Sequence, residues 1–397
     1  MLHAFEILFW SSLAVIFYAY IGYGLILGLL VKIKGWLNLS DFQVSADFVP
    51  EVTVVIAAYN EAEILEEKIL NTLALDYPAE SIKVIFVTDG SDDHSSEILQ
   101  RYPSLLHLHQ PVRAGKIAAV SRVMPRVTTP VTVFTDANTL LNRAAIRNLV
   151  KHLFHPQTGA VAGEKRILSE DADNASGAGE GLYWRYESLL KTWDARLYSV
   201  VGAAGELFAI RTELFEALPE DTLIEDFVLT VKIALRGYRV AYAPDAFALE
   251  GPSASASEEL KRKIRIAAGG LQAVGRLRAL LNPLRYGVLS FQYISHRVLR
   301  WTLAPLGLPI VALSNLILAW QGEWTYQLIL AGQILFYLAA WAGYMLEHRH
   351  IRLKPLFIPY YFCLMNYAVF AGFFRLIRGQ QSVIWEKASR RGTGKTS

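Results

Sequence analysis

The sequence predicts an α/β domain with a mostly parallel sheet, set between apolar segments long enough to cross a bilayer. Three observations lead there. Residues 51–249 alternate short β-branched runs with runs of helical spacing. Three of the strand-like runs end in polar, acidic tips. The apolar surplus, 53% of 397 residues against 19% charged, is gathered into a few uncharged runs outside that region. A soluble domain is less apolar than this, and a chain wholly in lipid carries fewer charges. With 39 basic and 36 acidic residues the net charge is +3, which gives no argument for a nucleic-acid partner. Cys363 is the single cysteine, so no intramolecular disulfide can form.

Residues 7–31 carry no charge, and about 20 such residues span a bilayer. Lys32 and Lys34 follow this run, whereas a cleaved leader has its basic residues before a shorter core. The reading is a signal anchor whose C-terminal end is cytosolic. In the α/β region, "VTVVIAA" (52–58), "KVIFVTD" (83–89), "LLHLHQ" (105–110) and "VTVFTD" (131–136) read as strands. Residues 61–75, with Ile64, Leu65, Ile69 and Leu73 at helical spacing, "SSEILQRY", and 114–124 read as helices between them. This rhythm implies a sheet covered on both faces, with ligands beyond the carboxyl ends of the strands. There sit Tyr59-Asn60-Glu61, then Asp89 through Asp93, then Asp136-Ala137-Asn138. Asp136 and Asn138 alone would read as a turn, with Asn138 or Asn142 capping the next helix. Three polar tips on three strand ends weigh against that. No Walker-type phosphate loop occurs, and the G-x-G at Gly22–Gly24 lies in the anchor, which disfavours P-loop and dinucleotide enzymes.

Three further apolar runs follow: 302–320 with Pro305 and Pro309, 326–346, and 355–374, interrupted by Pro359 and Asn366. If all three cross, the C-terminus lies outside. The basic residues Arg375, Arg378, Lys387, Arg390, Arg391 and Lys395, and those of the loop at Arg349, Arg352 and Lys354, favour the cytosol. Either the last segment does not fully cross or the charge rule is broken.

These motifs together resemble a family 2 glycosyltransferase of the GT-A fold, in particular the membrane-embedded bacterial exopolysaccharide synthases related to hyaluronan, chitin, poly-N-acetylglucosamine and cellulose synthases. The resemblance covers nearly the whole chain. It implies a GT-A domain at 50–250, an N-terminal anchor at 1–35, amphipathic interface helices at 255–300, a transmembrane region at 301–377 and a basic tail at 378–397. By resemblance, Ala58, Tyr59 and Glu61 of "VVIAAYNE" line the base and ribose of a nucleotide, and Asp89 of "VTDGSDD" meets its uracil side. Lys116 of "RAGK" approaches the diphosphate, as suits a cation near phosphate at a helix start. A solvated helix lysine is the plain alternative.

"DAN" stands where the family has D-x-D. Asp136 supplies charge and Asn138 a neutral oxygen to Mg²⁺ or Mn²⁺, hard ions that take oxygen ligands. A zinc site is not supported, since His348 and His350 have no matching cysteines. Residues 200–215 resemble the acceptor-pocket segment, and Glu206 there has no assigned role. In "TLIEDFVLTVKIALRGYRVAYAP", a strand or loop is expected to carry Glu225 and Asp226 before an amphipathic helix ending at Gly237. Asp226 is the expected general base, with Glu225 raising its pKa; helix capping is the alternative for Asp226. In "KRKIRIAAGGLQ", Arg265 takes the diphosphate-binding Arg of the family's Q-x-x-R-W, but Ile266 replaces the Trp. A basic amphipathic helix on lipid, with Arg262, Arg265, Arg276 and Arg278, is the other reading. "SVIWEKASRR" (382–391) resembles a C-terminal Trp segment of some relatives.

The expected activity is inverting transfer of a sugar from a nucleotide-sugar, with UDP the expected nucleotide, onto a growing polysaccharide at the cytosolic face of the inner (plasma) membrane, with export as an extension. The alternative is a non-processive transferase adding one sugar to a lipid-linked or glycan acceptor. An inactive scaffold is disfavoured by intact Asp89, Asp136 and Asp226.

Overall fold

The computed structural model describes residues 2–39, 43–167, 175–251, 256–347 and 353–382. In chain order these form helix α1 (Leu2–Trp36), then β1 (Val52–Ala58), α2 (Ala62–Leu73), β2 (Ile82–Asp89), α3 (Ser95–Gln100), β3 (Leu106–Gln110) and α4 (Lys116–Val123). Next come β4 (Val131–Asp136), β5 (Thr139–Leu141), α5 (Ala145–Val150), β6 (Thr158–Ile167), α6 (Ala175–Leu197), β7 (Leu207–Arg211), α7 (Glu225–Leu235) and β8 (Arg239–Glu250). Helices α8 (Ala256–Arg276), α9 (Pro283–Tyr293), α10 (Leu303–Trp320), α11 (Trp324–Glu347) and α12 (Lys354–Ile377) follow. The chain divides into two compact units. One is built mainly from residues 33–168 and 191–258, the other from 1–32, 169–190 and 259–381.

The first unit holds an eight-stranded sheet in the order β3-β2-β1-β4-β7-β6-β8-β5. β1 is central and buried along its whole length, which is why its seven residues read as an unbroken β-branched run rather than an alternating one. It pairs in parallel with β2 and β4, while β7 runs antiparallel to β4. Register decides where the tips fall: Ala58 lies beside Thr88, and Ala57 beside Asp136. The three polar tips therefore end on one edge of the sheet. On α2 the buried stripe is Leu65, Lys68, Ile69 and Thr72, while Leu73 is exposed. The apolar stripe is thus displaced by a fraction of a turn from the expected one, and a lysine lies inside it. α7 is not amphipathic as expected. Residues Phe227 through Val231 are all buried, so the helix is enclosed around most of its circumference. It ends as expected, at Gly237 with φ +91°.

The second unit contains the apolar helices. Among the described residues, four helices are long and apolar enough to cross a membrane: Leu2–Trp36, Leu303–Trp320, Trp324–Glu347 and Pro355–Ile377. They match the four uncharged runs of the sequence. Pro359 and Asn366, which interrupt the apolar run in the sequence, both lie within one continuous helix. Asn366 is tolerated because its amide donates to the Phe362 carbonyl at 2.8 Å and its oxygen accepts from the Tyr20 hydroxyl at 2.8 Å. α1 contains a π-helical turn at Tyr18–Gly22. Buried Glu187 is surrounded by His296, Arg297 and Arg300, so its charge is compensated. His348 and His350 and the Trp-bearing segment from 383 onward lie outside the described residues.

Candidate active site

The edge where β1, β2 and β4 end is sewn together by side chains. Asn60, at φ +53°, donates to Asp92 Oδ1 at 2.6 Å and accepts from the Asp92 amide at 3.0 Å. Asp93 takes the amides of Ala62 and Ser95, each at 3.0 Å. Asp92 and Asp93 of the second tip thus join it to the first. Ala58 is the buried end of β1, and Glu61 is buried beside it with its amide on the Ser95 hydroxyl at 3.2 Å. Tyr59 presents its ring to Arg113, whose guanidinium lies 3.5 Å from the ring centroid.

Asp89 has a role that its sequence context did not reveal. Its Oδ2 accepts from the amides of Ala114 and Gly115 at 2.9 and 2.6 Å, and its Oδ1 from Arg122 at 3.1 Å. The carboxylate therefore shapes the loop that launches α4. Gly115 sits at the helix start with φ +94°, a conformation open to glycine. The next residue is Lys116. Its Nζ donates to Asp136 Oδ1 at 2.6 Å and pairs with Glu225 Oε1 at 3.2 Å. Glu225 and Asp226 do not lie on a strand or loop as expected; they are the first two residues of α7, where acids favour the helix N-terminus. The helix is entered through Ile224 with no side-chain cap, so Asp226 is not its N-cap. Gly205 closes the group: a Cβ there would lie 3.1 Å from Lys116 Nζ and 3.3 Å from Asp226 Oδ2.

The electrostatics follow from this crowding. Burial pulls the Lys116 pKa down, but Asp136, Glu225 and Asp226 outweigh it and hold the ammonium above its ordinary range. Burial raises Asp136; Lys116 opposes, and Glu206 and Glu225 push it further up. Asp226 is raised to about 7, first by burial, then by Glu225, against Lys116 and a backbone bond at Phe227, with Glu206 adding to the rise. An apolar cavity beside Lys116 and Asp226, walled by Phe134, Phe208, Phe215 and Leu218, supplies the low-polarity surroundings. Glu206, unassigned from the sequence, is held by buried Lys165 at 2.6 Å, and Lys165 also pairs with Glu250.

The donor set accommodates a divalent cation. Asn138 Oδ1 is buried and has no hydrogen-bond partner among the described residues, an oxygen left to accept something else. Among the described residues no group of three or more His, Cys, Asp or Glu is placed to hold a metal ion. Mg²⁺ and Mn²⁺ take as few as one or two protein carboxylates and complete their shell with phosphate oxygens and water. Arg265 is on α8, in the other unit from Lys116 and Asp136.

A mostly parallel α/β sheet with Asp136 at a strand end, beside Lys116 and the two acids that open α7, agrees with the class the comparisons give, a transferase of the GT-A fold. The chain belongs to the family described as glycosyltransferase like family 2, whose profile matches residues 50–269. It is similar to a poly-beta-1,6-N-acetyl-D-glucosamine synthase of Staphylococcus aureus (strain COL), 26% identical over 245 residues, which is 59% of this chain and 58% of that protein. A probable glycosyltransferase YdaM of Bacillus subtilis (strain 168) is 25% identical over 232 residues, 54% of this chain and 53% of that one. The match thus spans little more than half the length of these curated relatives. Among solved structures, a mannosyltransferase from Pyrobaculum calidifontis in complex with GDP-Man and Mn²⁺ superposes with a TM-score of 0.71 at 24% identity, covering 96% of this chain and 100% of that one.

Lys68 and Glu206 are the residues that motif reading missed. Lys68 was legible as a charge inside the apolar stripe of α2. Glu206 had no role legible in the sequence, since its reach to Lys165 depends on β6 and β7 lying side by side.

Proposed function

We propose that this chain transfers a sugar from a nucleotide-sugar to a glycan hydroxyl with inversion, at a membrane surface. The observation that carries the reading is Lys116 held between Asp136 and Glu225, next to Asp226, at the strand ends. Asp136 and Asn138 would hold the divalent cation, which when bound offsets charge developing on the leaving diphosphate. Lys116 adds a second positive charge to that group, at the start of a helix. Tyr59, Ala58 and Glu61 would line the nucleoside, and Asp89 shapes their pocket by ordering residues 113–115. Arg265 is proposed as a further diphosphate-binding residue on the resemblance alone.

Asp226, at a pKa of about 7, takes the proton of the acceptor hydroxyl. The hydroxyl oxygen bonds to the anomeric carbon as the carbon–oxygen bond to the diphosphate breaks, and the electron pair leaves with the diphosphate. One displacement inverts the anomeric centre, so no covalent nucleophile is required. The four apolar helices support a multi-pass protein of the inner membrane, and Lys32 and Lys34 near the C-terminal end of the first support a cytosolic catalytic unit.

Similarity to a poly-beta-1,6-N-acetyl-D-glucosamine synthase supports polymer elongation, for which a UDP-sugar is the proposed donor. Ile266, in place of the stacking Trp, supports the second reading, a single addition to a lipid-linked or glycan acceptor. The test is a panel of UDP- and GDP-sugars with purified protein and Mn²⁺ or Mg²⁺, scored by released nucleotide and by product length. A ladder of products supports elongation and a single product supports one addition. No nucleotide release from any donor would reject transferase activity.

A further inference from the structure

Lys68, on α2, is fully buried at 0% exposure and belongs to no recognised motif. Its Nζ donates to the Thr139 carbonyl at 2.7 Å and to Thr135 Oγ1 at 3.1 Å. These two residues bracket Asp136-Ala137-Asn138. The bracket is closed from other sides as well. The Thr135 hydroxyl donates to the Glu206 carbonyl at 2.9 Å, the Thr139 hydroxyl donates to the Asp136 carbonyl at 3.0 Å, and the two hydroxyls lie 3.3 Å apart. A cluster of bonds thus ties both ends of the tip to a single ammonium beneath it.

Stability alone does not explain the choice. Burying an ammonium against neutral acceptors is unfavourable, and methionine would fill a similar volume without desolvation. Burial accordingly pulls the Lys68 pKa down to about 7, with Asp136 opposing. What methionine lacks is the pair of directed bonds to the residues before and after the tip.

We propose that Lys68 is a positioning residue that clamps the tip between β4 and β5, aiming Asp136 and Asn138 at the divalent cation of the donor complex. The proposal rests on the metal reading of Asp136 and Asn138 given above. Residues behind metal ligands typically change metal affinity by about 10–100-fold when removed.

The experiment measures Mn²⁺ binding to the full chain in detergent by electron paramagnetic resonance, alongside the donor KM and kcat. Lys68→Met should weaken Mn²⁺ binding about tenfold and raise the donor KM, with kcat recovering toward the parent value at saturating Mn²⁺. A lysine acting only as a charge predicts the opposite sign, since removing a nearby cation strengthens cation binding. A lysine that only fills space predicts altered melting with unchanged Mn²⁺ affinity. Mn²⁺ affinity equal to or tighter than the parent's overturns the proposal. Should Lys68→Met not fold, Thr135→Val carries the test. It removes one of the clamp's acceptors at similar volume and should weaken Mn²⁺ binding by about threefold or more; unchanged affinity overturns the proposal. Asp136→Ala separates the two readings. If it binds Mn²⁺ as the parent does, the metal assignment itself fails. If it loses Mn²⁺ while Lys68→Met does not weaken it, only the clamp fails.

Discussion

Asp226 carries the sharpest expectations. A base raised to about 7 is protonated below that pH, so kcat/KM should fall roughly tenfold per unit as pH drops below 7. Glu225 is part of the cause, and Glu225→Gln should move this acid limb to lower pH. Asp226→Asn keeps the shape and removes the proton acceptor; donor binding should stay within a few-fold while kcat falls about 10²–10⁴-fold. The stability sign is also fixed. The folded pKa lies above the unfolded value, so the contribution is present at low pH and is lost as pH rises through about 7. Asp226→Asn should therefore melt higher than the parent at pH 8 and close to it near pH 4. An Asn variant that transfers sugar at the parent rate would leave Glu225 as the base. At the metal tip, Asn138→Asp restores the family's D-x-D and should retain turnover, whereas Asp136→Ala should abolish it with melting preserved. Normal turnover of Asp136→Ala in saturating Mn²⁺ or Mg²⁺ would show the tip is misassigned.

At the scale of elements, α7 depends on how the chain reaches it. Gly202 has φ +83°, and a Cβ there would meet the Phe227 ring at 2.1 Å. Phe227 is the neighbour of Asp226, so the glycine sets the room in which the first turn of α7 packs. Gly202→Ala should cost about 1–3 kcal/mol from backbone conformation alone, more with the clash, and should lower both Tm and kcat. Gly275, within α8, has open space around it: a Cβ there would meet nothing within 4 Å. Gly275→Ala should be neutral or stabilising by about 0.5–1 kcal/mol, as for an open helix interior. Thermal unfolding of the two variants side by side checks the contrast; equal losses would refute it. The motif residues were legible on their elements, but the burial of Lys68 was not. A helical wheel places it among Leu65 and Ile69, and only the acceptors at Thr135 and Thr139 make that position tenable.

For the whole molecule, the prediction concerns sidedness. Lys32 and Lys34, near the C-terminal end of α1, predict that residues 51–300 face the cytosol. Cysteine introduced at an exposed site of that segment should resist a membrane-impermeant maleimide in intact cells and react after permeabilisation. Labelling in intact cells would reverse the orientation. The same measurement at residue 380 decides the side of the C-terminus, where four crossings and the basic residues of the tail pull in opposite directions.

The sequence by itself determined the α/β rhythm, the four apolar segments, and the motifs that mark Asp89, Lys116, Asp136 and Asp226. These depend on local periodicity and on residue type, both of which are written along the chain. Only the tertiary structure decided that Asp89 is spent on the loop before Lys116, that Glu225 and Asp226 open a helix and do not precede it, and that Lys116 bridges Asp136 and Glu225. The physical reason is range. Lys116 and Glu225 are far apart in sequence, and their 3.2 Å approach exists because β4 lies between β1 and β7, bringing α4 and α7 to one edge of the sheet. The shifted pKa of Asp226 has the same origin, since burial and neighbouring charges are properties of the packed site and of no single stretch of chain.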